Sequence, residues 1–166
     1  TFDVYGRGPV NSSEEGTVQG LELAYQQFYD FLPGWLSGFG IQANYTYIDS
    51  SGVPQENLDA GKANPGGNET AIDTSLLPLE GLSEHNANFT AIYENAKISA
   101  RLAYSWRSEF LLTTRDEIVP FAPIMSDATG QLDGSVFYSV NDRIKVGVQA
   151  VNLLNETTKT FQVLDD

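Results

Sequence analysis

Ile98-Ser99-Ala100-Arg101-Leu102-Ala103-Tyr104-Ser105-Trp106-Arg107 decides the fold. Every second residue is apolar: Ile98, Ala100, Leu102, Tyr104 and Trp106. Between them stand Ser99, Arg101, Ala103, Ser105 and Arg107. A repeat of two is the period of a strand with one apolar and one polar face, because successive side chains point to opposite sides. The apolar set ends in two aromatics, and no charge interrupts it.

The same alternation recurs on both sides of this stretch. Six strands are expected, at about 18–29, 39–49, 83–93, 97–110, 131–140 and 143–153. Their apolar parities carry Leu21, Leu23 and Tyr25; Phe39, Ile41, Ala43, Tyr45 and Tyr47; Ala87, Phe89, Ala91 and Tyr93; Leu132, Val136 and Tyr138; and Ile144, Val146, Val148 and Ala150. Glu22, Glu84, Lys97, Arg101, Arg107, Glu109, Asp133 and Lys145 fall on the other parity.

The connections alternate in length. Asp30 to Gly38, Glu94-Asn95-Ala96 and Asn141-Asp142 are short. Ser50 to Pro78, Leu111 to Gly130 and Asn155 to Asp166 are long. A soluble sandwich has no reason to gather its long loops at one end, whereas an outer-membrane barrel does so routinely. The strands are about ten residues long, which a tilted strand needs to cross the hydrocarbon layer. Six strands cannot enclose a lumen, so the expected fold is all-β: an antiparallel meander forming an incomplete segment of a transmembrane β-barrel.

Composition agrees. The 166 residues carry a formal net charge of −13, which argues against nucleic acid as a partner. There is no cysteine and one histidine, so thiolate sites, disulfides and His clusters are excluded, and no metal or cofactor is expected. Charged residues are only 19%, below the roughly 25% of an ordinary globular chain. No apolar run reaches the roughly 20 residues of a membrane helix. The opening Thr1-Phe2-Asp3-Val4-Tyr5 lacks the features of a signal peptide and reads like the interior of a longer protein.

With those strands in place, the sequence resembles the C-terminal part of the barrel of TonB-dependent outer-membrane receptors. The resemblance rests on Val18-Gln19-Gly20-Leu21-Glu22-Leu23, on Leu32-Pro33-Gly34 through Gly40-Ile41-Gln42-Ala43-Asn44-Tyr45-Thr46-Tyr47, and on Leu82-Ser83-Glu84-His85-Asn86-Ala87-Asn88. It continues through Ile98 to Arg107 and Val148-Gln149-Ala150-Val151-Asn152-Leu153-Leu154-Asn155. It implies strands just before the final one of a 22-stranded barrel, a plug domain and a TonB contact outside this chain, and residence in the outer membrane of a Gram-negative bacterium. It also implies uptake of a scarce nutrient, of the oligosaccharide or ferric siderophore class. Plug, TonB box and closing strand are not seen in the sequence.

Two other readings remain. A soluble β-sandwich carbohydrate-binding or adhesion module would bury the apolar parity inside the protein. A porin-like or autotransporter barrel would share the wall without the plug. Catalysis has no support: G-x-S-x-G, H-E-x-x-H and P-loop patterns are missing. Asp49 with Asp73, or Asp116 with Glu117, read as loop acidity rather than an acid pair.

On the barrel reading the expected lipid-facing residues are Leu21, Leu23, Ile41, Tyr45, Phe89, Leu102, Tyr104, Trp106, Val146 and Val148. The expected ligand contacts, in the lumen or at its mouth, are Arg107, Glu109, Arg101, Asn86, Asn88 and Glu84. Arg107 and Glu109 lead, with an Arg–carboxylate pair along the wall as the alternative. His85 reads as a structural or interfacial imidazole. Asn-x-Ser/Thr sequons occur at Asn11, Asn44, Asn68, Asn88 and Asn155, and glycosylation is not expected, since Asn44 and Asn88 fall mid-strand where alternating small polar residues generate sequons by chance. Phe121, Pro123, Ile124 and Met125 form an apolar tip expected to pack over the mouth.

Overall fold

The computed structural model describes residues 16–52, 78–113 and 123–162. Phe121, Asn11, Asn68, Asp73, Asp116, Glu117 and the last residues, 163–166, lie outside them, as does most of the stretch between Ser50 and Pro78.

Strands β1 (Thr17–Phe28), β2 (Phe39–Gly52), β3 (His85–Glu94), β4 (Ile98–Arg107), β7 (Thr129–Asn141) and β8 (Ile144–Ala150) form one six-stranded antiparallel sheet. Its order, β1-β2-β3-β4-β7-β8, is a meander whose edges do not meet. This is the expected fold class: an open, nearly all-β piece of barrel wall.

Three short strands lie between and after these: β5 (Phe110–Thr113), β6 (Ile124–Ser126) and β9 (Thr160–Gln162), paired in the order β5-β6-β9. They fall where long loops are expected, yet they are not a second layer. The β4–β7 ladder ends at Arg107↔Thr129 and β5–β6 begins at Phe110↔Ser126, the same register carried three residues further. On the other side β7–β8 pairs Gly134 with Ala150, and β6–β9 pairs Ser126 with Thr160. The chain after β8 therefore carries two extra residues (150 to 160 against 134 to 126). The small sheet is the same wall, continued upward across a bulge.

The faces stay separate along all five ladders except at two end shifts, Thr17/Gln19 and Ser139/Asn141. Leu23 stands opposite Tyr45, Tyr45 opposite Ala87, and Ala87 opposite Trp106. Likewise Ala100 stands opposite Val136 and Val136 opposite Val148. A slip of one residue at any ladder would put the apolar set on the wrong side. The other face matches Glu22 with Thr46, Asn44 with Asn88, Asn88 with Ser105 and Arg101 with Ser135.

Burial is inverted relative to a water-soluble domain. Leu21 is 57% exposed, Phe89 45%, Leu102 46% and Val148 73%, while Thr90 at the centre of the polar face is only 7% exposed. Among the described residues the fully buried large side chains are Leu111 and Pro123, both in the upper extension. No helix among the described residues is long and apolar enough to cross a membrane, which leaves strands untouched as a means of crossing.

The lower turns explain their own sequences. Asn95 Oδ1 accepts from the N–H groups of Lys97 and Ile98 at 2.9 and 2.7 Å. Asn141 Oδ1 does the same for Arg143 and Ile144 at 2.9 and 3.0 Å. The asparagine side chain closes the turn where the strands give out. Between β1 and β2 a 3₁₀ turn, Gly34–Gly38, starts from Gly34 at φ 64° and presents Trp35, 69% exposed, beside Phe39, whose ring in turn meets Tyr93.

Low on the polar face, the Phe137 ring lies across Gly147, its opposite partner, so closely that a Cβ there would collide with the ring. Lys145 Nζ stands 5.3 Å from the ring centre. Gly147→Val should therefore destabilise the parent barrel by about 1–3 kcal/mol through overpacking. The midpoint of heat-modified migration in detergent gels reads this, and adding Phe137→Ala should recover part of the loss.

Candidate functional site: the polar face and upper rim

The polar face holds two hollows of use to a ligand. The larger, about 580 Å³, spans β1 to β4 at mid-height and includes Gln26, Gln42, Asn44, Thr90 and Arg101. The second, about 380 Å³, lies higher and is lined by Asn86, Asn88, Arg107, Gln131, Asp133 and Glu156 among others. A third, of about 640 Å³ at the rim, lies between Tyr47, Glu84, His85, Glu109 and Met125.

The upper hollow owes its shape to the bulge after β8. Asn152 and Asn155 take left-handed backbone conformations, φ 56° and 53°, which asparagine tolerates better than other side-chain-bearing residues. The Asn155 N–H donates to Asn152 O at 2.9 Å, closing the turn. Asp133 Oδ1 receives the Asn152 N–H at 2.8 Å. The Asn152 side chain then bonds both ways to Glu156, donating to its carbonyl at 2.9 Å and accepting from its N–H at 2.7 Å. This brings Glu156 and Thr158 back beside the strands. Asp133 lay on the expected polar parity, but Glu156 had no periodic signal and its place could not be read from sequence. The Asn-Leu-Leu-Asn stretch was the sign of the bulge.

Arg107 is built into the wall. Its Nε donates to Ser83 Oγ at 2.8 Å, its Nη2 to the Gly81 carbonyl at 3.3 Å, and its Cζ lies 3.8 Å from the centre of the Phe110 ring. Ser83, 2% exposed, also donates to Ser108 O at 3.0 Å. Gly81 N donates to Leu111 O at 2.7 Å and Ile48 N to Glu84 O at 2.9 Å. The segment before β3 thus continues that strand upward, irregularly, with β2 on one side and β5 on the other. Arg107 fastens it.

The six expected ligand contacts do not form one cluster. Asn86, Asn88 and Arg107 meet in the upper hollow. Arg101 lies lower, in the large hollow. Glu84 and Glu109 stand at the rim. The bonds seen for Arg107 run to a hydroxyl and a carbonyl rather than along the wall to Glu109. Pro123, Ile124 and Met125, expected as a loop tip, instead sit at the start of β6, with Pro123 buried.

His85 belongs to the apolar parity, opposite Tyr47. Its Nδ1 lies 2.7 Å from Tyr45 Oη, its ring stacks on Tyr45 at 6.0 Å, and its Nε2 is 3.7 Å from Glu84. Together with Trp106 these rings form an upper aromatic band, matching Phe39, Tyr93 and Trp35 below. Among the described residues no group of three His, Asp or Glu side chains could hold a metal ion.

Arg107→Ala should release the segment around Gly81 to Ser83, at a cost of about 1–3 kcal/mol for its charged hydrogen bonds. Limited proteolysis should show a new cut there, while the heat stability of the six-stranded sheet stays unchanged.

No curated protein and no solved structure matches the chain. One family does: the model described as TonB dependent receptor-like, beta-barrel matches residues 2–153. The open antiparallel wall with one apolar and one polar face is consistent with a segment of such a barrel, and the chain belongs to the TonB dependent receptor-like β-barrel family.

Proposed function

We propose that this chain is a wall segment of an outer-membrane receptor that imports a scarce nutrient, of the oligosaccharide or ferric siderophore class, with energy relayed by TonB. The observation that carries the reading is the separation of faces along the five ladders of the sheet, interrupted only by register shifts near strand ends, at Thr17/Gln19 and Ser139/Asn141. The apolar face, with Leu21, Leu23, Ile41, Tyr45, Phe89, Leu102, Tyr104, Trp106, Val146 and Val148, meets outer-membrane lipid. The polar face turns to the lumen, where a plug domain supplied by the parent protein would sit.

The dimensions support this. β2 has 14 residues, about 46 Å of contour at about 3.3 Å per residue. A tilt of about 40° leaves about 35 Å of height against an apolar band of about 25 Å. The wall therefore rises past the membrane, and its upper extension forms a rim on the ligand side. Arg107, Asn86 and Asn88 stand just below that rim, with Glu84 and Glu109 at it and Arg101 at mid-height. They are the candidate ligand contacts.

The substitution pair Leu102→Arg and Ser105→Arg tests the reading. An arginine at mid-bilayer costs about 2–4 kcal/mol, while one facing a wet lumen costs little. Leu102→Arg should lower the yield of folded, detergent-extracted receptor in outer-membrane fractions, and Ser105→Arg should not. Equal behaviour of the two variants, or a parent protein soluble in plain buffer, would contradict the membrane assignment.

A further inference from the structure

We infer that the upper hollow of the polar face is a subsite for a neutral, polyhydroxylated ligand of the sugar class. This rests on the receptor reading and narrows its substrate. The argument is one of donors and acceptors. Ser105 Oγ donates to Asn88 Oδ1 at 2.5 Å, which occupies the acceptor end of that amide and keeps its N–H₂ end for another acceptor. Asn86 is arranged the opposite way: its Nδ2 donates to Ser83 O at 3.2 Å, leaving a carbonyl oxygen. Gln131 Nε2 donates to both oxygens of Asp133, at 3.0 and 3.1 Å, so its own carbonyl is likewise left as an acceptor. The hydroxyls of Thr129 and Thr158 line the same space, and a hydroxyl both gives and takes a hydrogen bond. Donors and acceptors thus alternate within one hollow of about 380 Å³. A sugar hydroxyl, also donor and acceptor at once, is complementary to that pattern.

Charge points the same way. The hollow holds one cation, Arg107, and two carboxylates, Asp133 and Glu156. Two of the five guanidinium N–H groups go to Ser83 and Gly81, and the others are left for a ligand hydroxyl. An anionic ligand would meet a lining with one more carboxylate than cation. A neutral one meets no such penalty.

The test uses the full-length receptor in detergent and isothermal titration. The probes are maltotriose, cellotriose and chitotriose as neutral ligands, trigalacturonate as an anion of equal size, and a ferric hydroxamate as the metal-chelate alternative. The expected result is binding of at least one neutral trisaccharide, weakened about tenfold by Asn88→Leu and by Gln131→Leu, since each removes a ligand hydrogen bond. Glu22→Gln, on the same face outside this hollow, should leave the affinity unchanged. Preference for trigalacturonate or the ferric chelate overturns the proposal. So does neutral binding that both leucine variants leave intact, or no binding of any neutral probe. Outer-membrane fractionation of the same variants is scored separately, so failure of the sugar subsite and failure of the receptor reading give different results.

Discussion

Hydrocarbon offers a backbone no hydrogen-bond partner, and that constraint shapes the rest of this structure. Each N–H and C=O within the apolar band must find its mate in a neighbouring strand. Only in-register antiparallel ladders allow this while keeping one side greasy, and a single slip would expose a charge to lipid. The six strands obey the condition along the body of every ladder, with register shifts only near the ends, at Thr17/Gln19 and Ser139/Asn141. On the proposed reading, the scarcity of buried apolar side chains among the described residues, the exposed leucines and valines, and the shelter of Thr90 follow from it. A polypeptide whose apolar face is satisfied by lipid has no need of a second layer.

Above the band the constraint relaxes, and the architecture changes with it. Water can serve unpaired groups there, so bulges and irregular turns become affordable. The wall switches to Asn and Asp as corner pieces at this height: Asn152 and Asn155 shape the bulge and Asp133 anchors it. Arg107 ties the chain before β3 to β4, and Leu111 and Pro123 supply a small dry cluster. The six-stranded sheet thus owes its order to its ladders, and the rim owes its order to side chains. The candidate ligand groups sit where the two regimes meet.

Much of the fold was legible because strand period and membrane cost both write into alternate positions. Leu102 beside Arg101 carries that message without any alignment. The family resemblance, read from strand motifs such as Val18 to Leu23, agreed with the match over residues 2–153. The rim was less legible. β5, β6 and β9 are three or four residues each, too short for alternation to register against loop composition. The role of Arg107 was hidden as well, because its partners Ser83 and Gly81 precede another strand, and sequence alone does not place them. Glu156 reaches the polar face only through the two-residue offset after β8, a shift no periodicity signals.

Site-directed spin labelling along β4 of the parent receptor in lipid tests the central claim most directly, and the absence of cysteine from this chain helps its labelling. Single cysteines from Ser99 to Ser105 would be probed for collision with oxygen, which enriches in lipid, and with a polar nickel chelate, which stays in water. The account predicts strict alternation, with oxygen access at Ala100, Leu102 and Tyr104 and chelate access at Ser99, Arg101, Ala103 and Ser105. Uniform chelate access, or an oxygen maximum on the arginine parity, would contradict it.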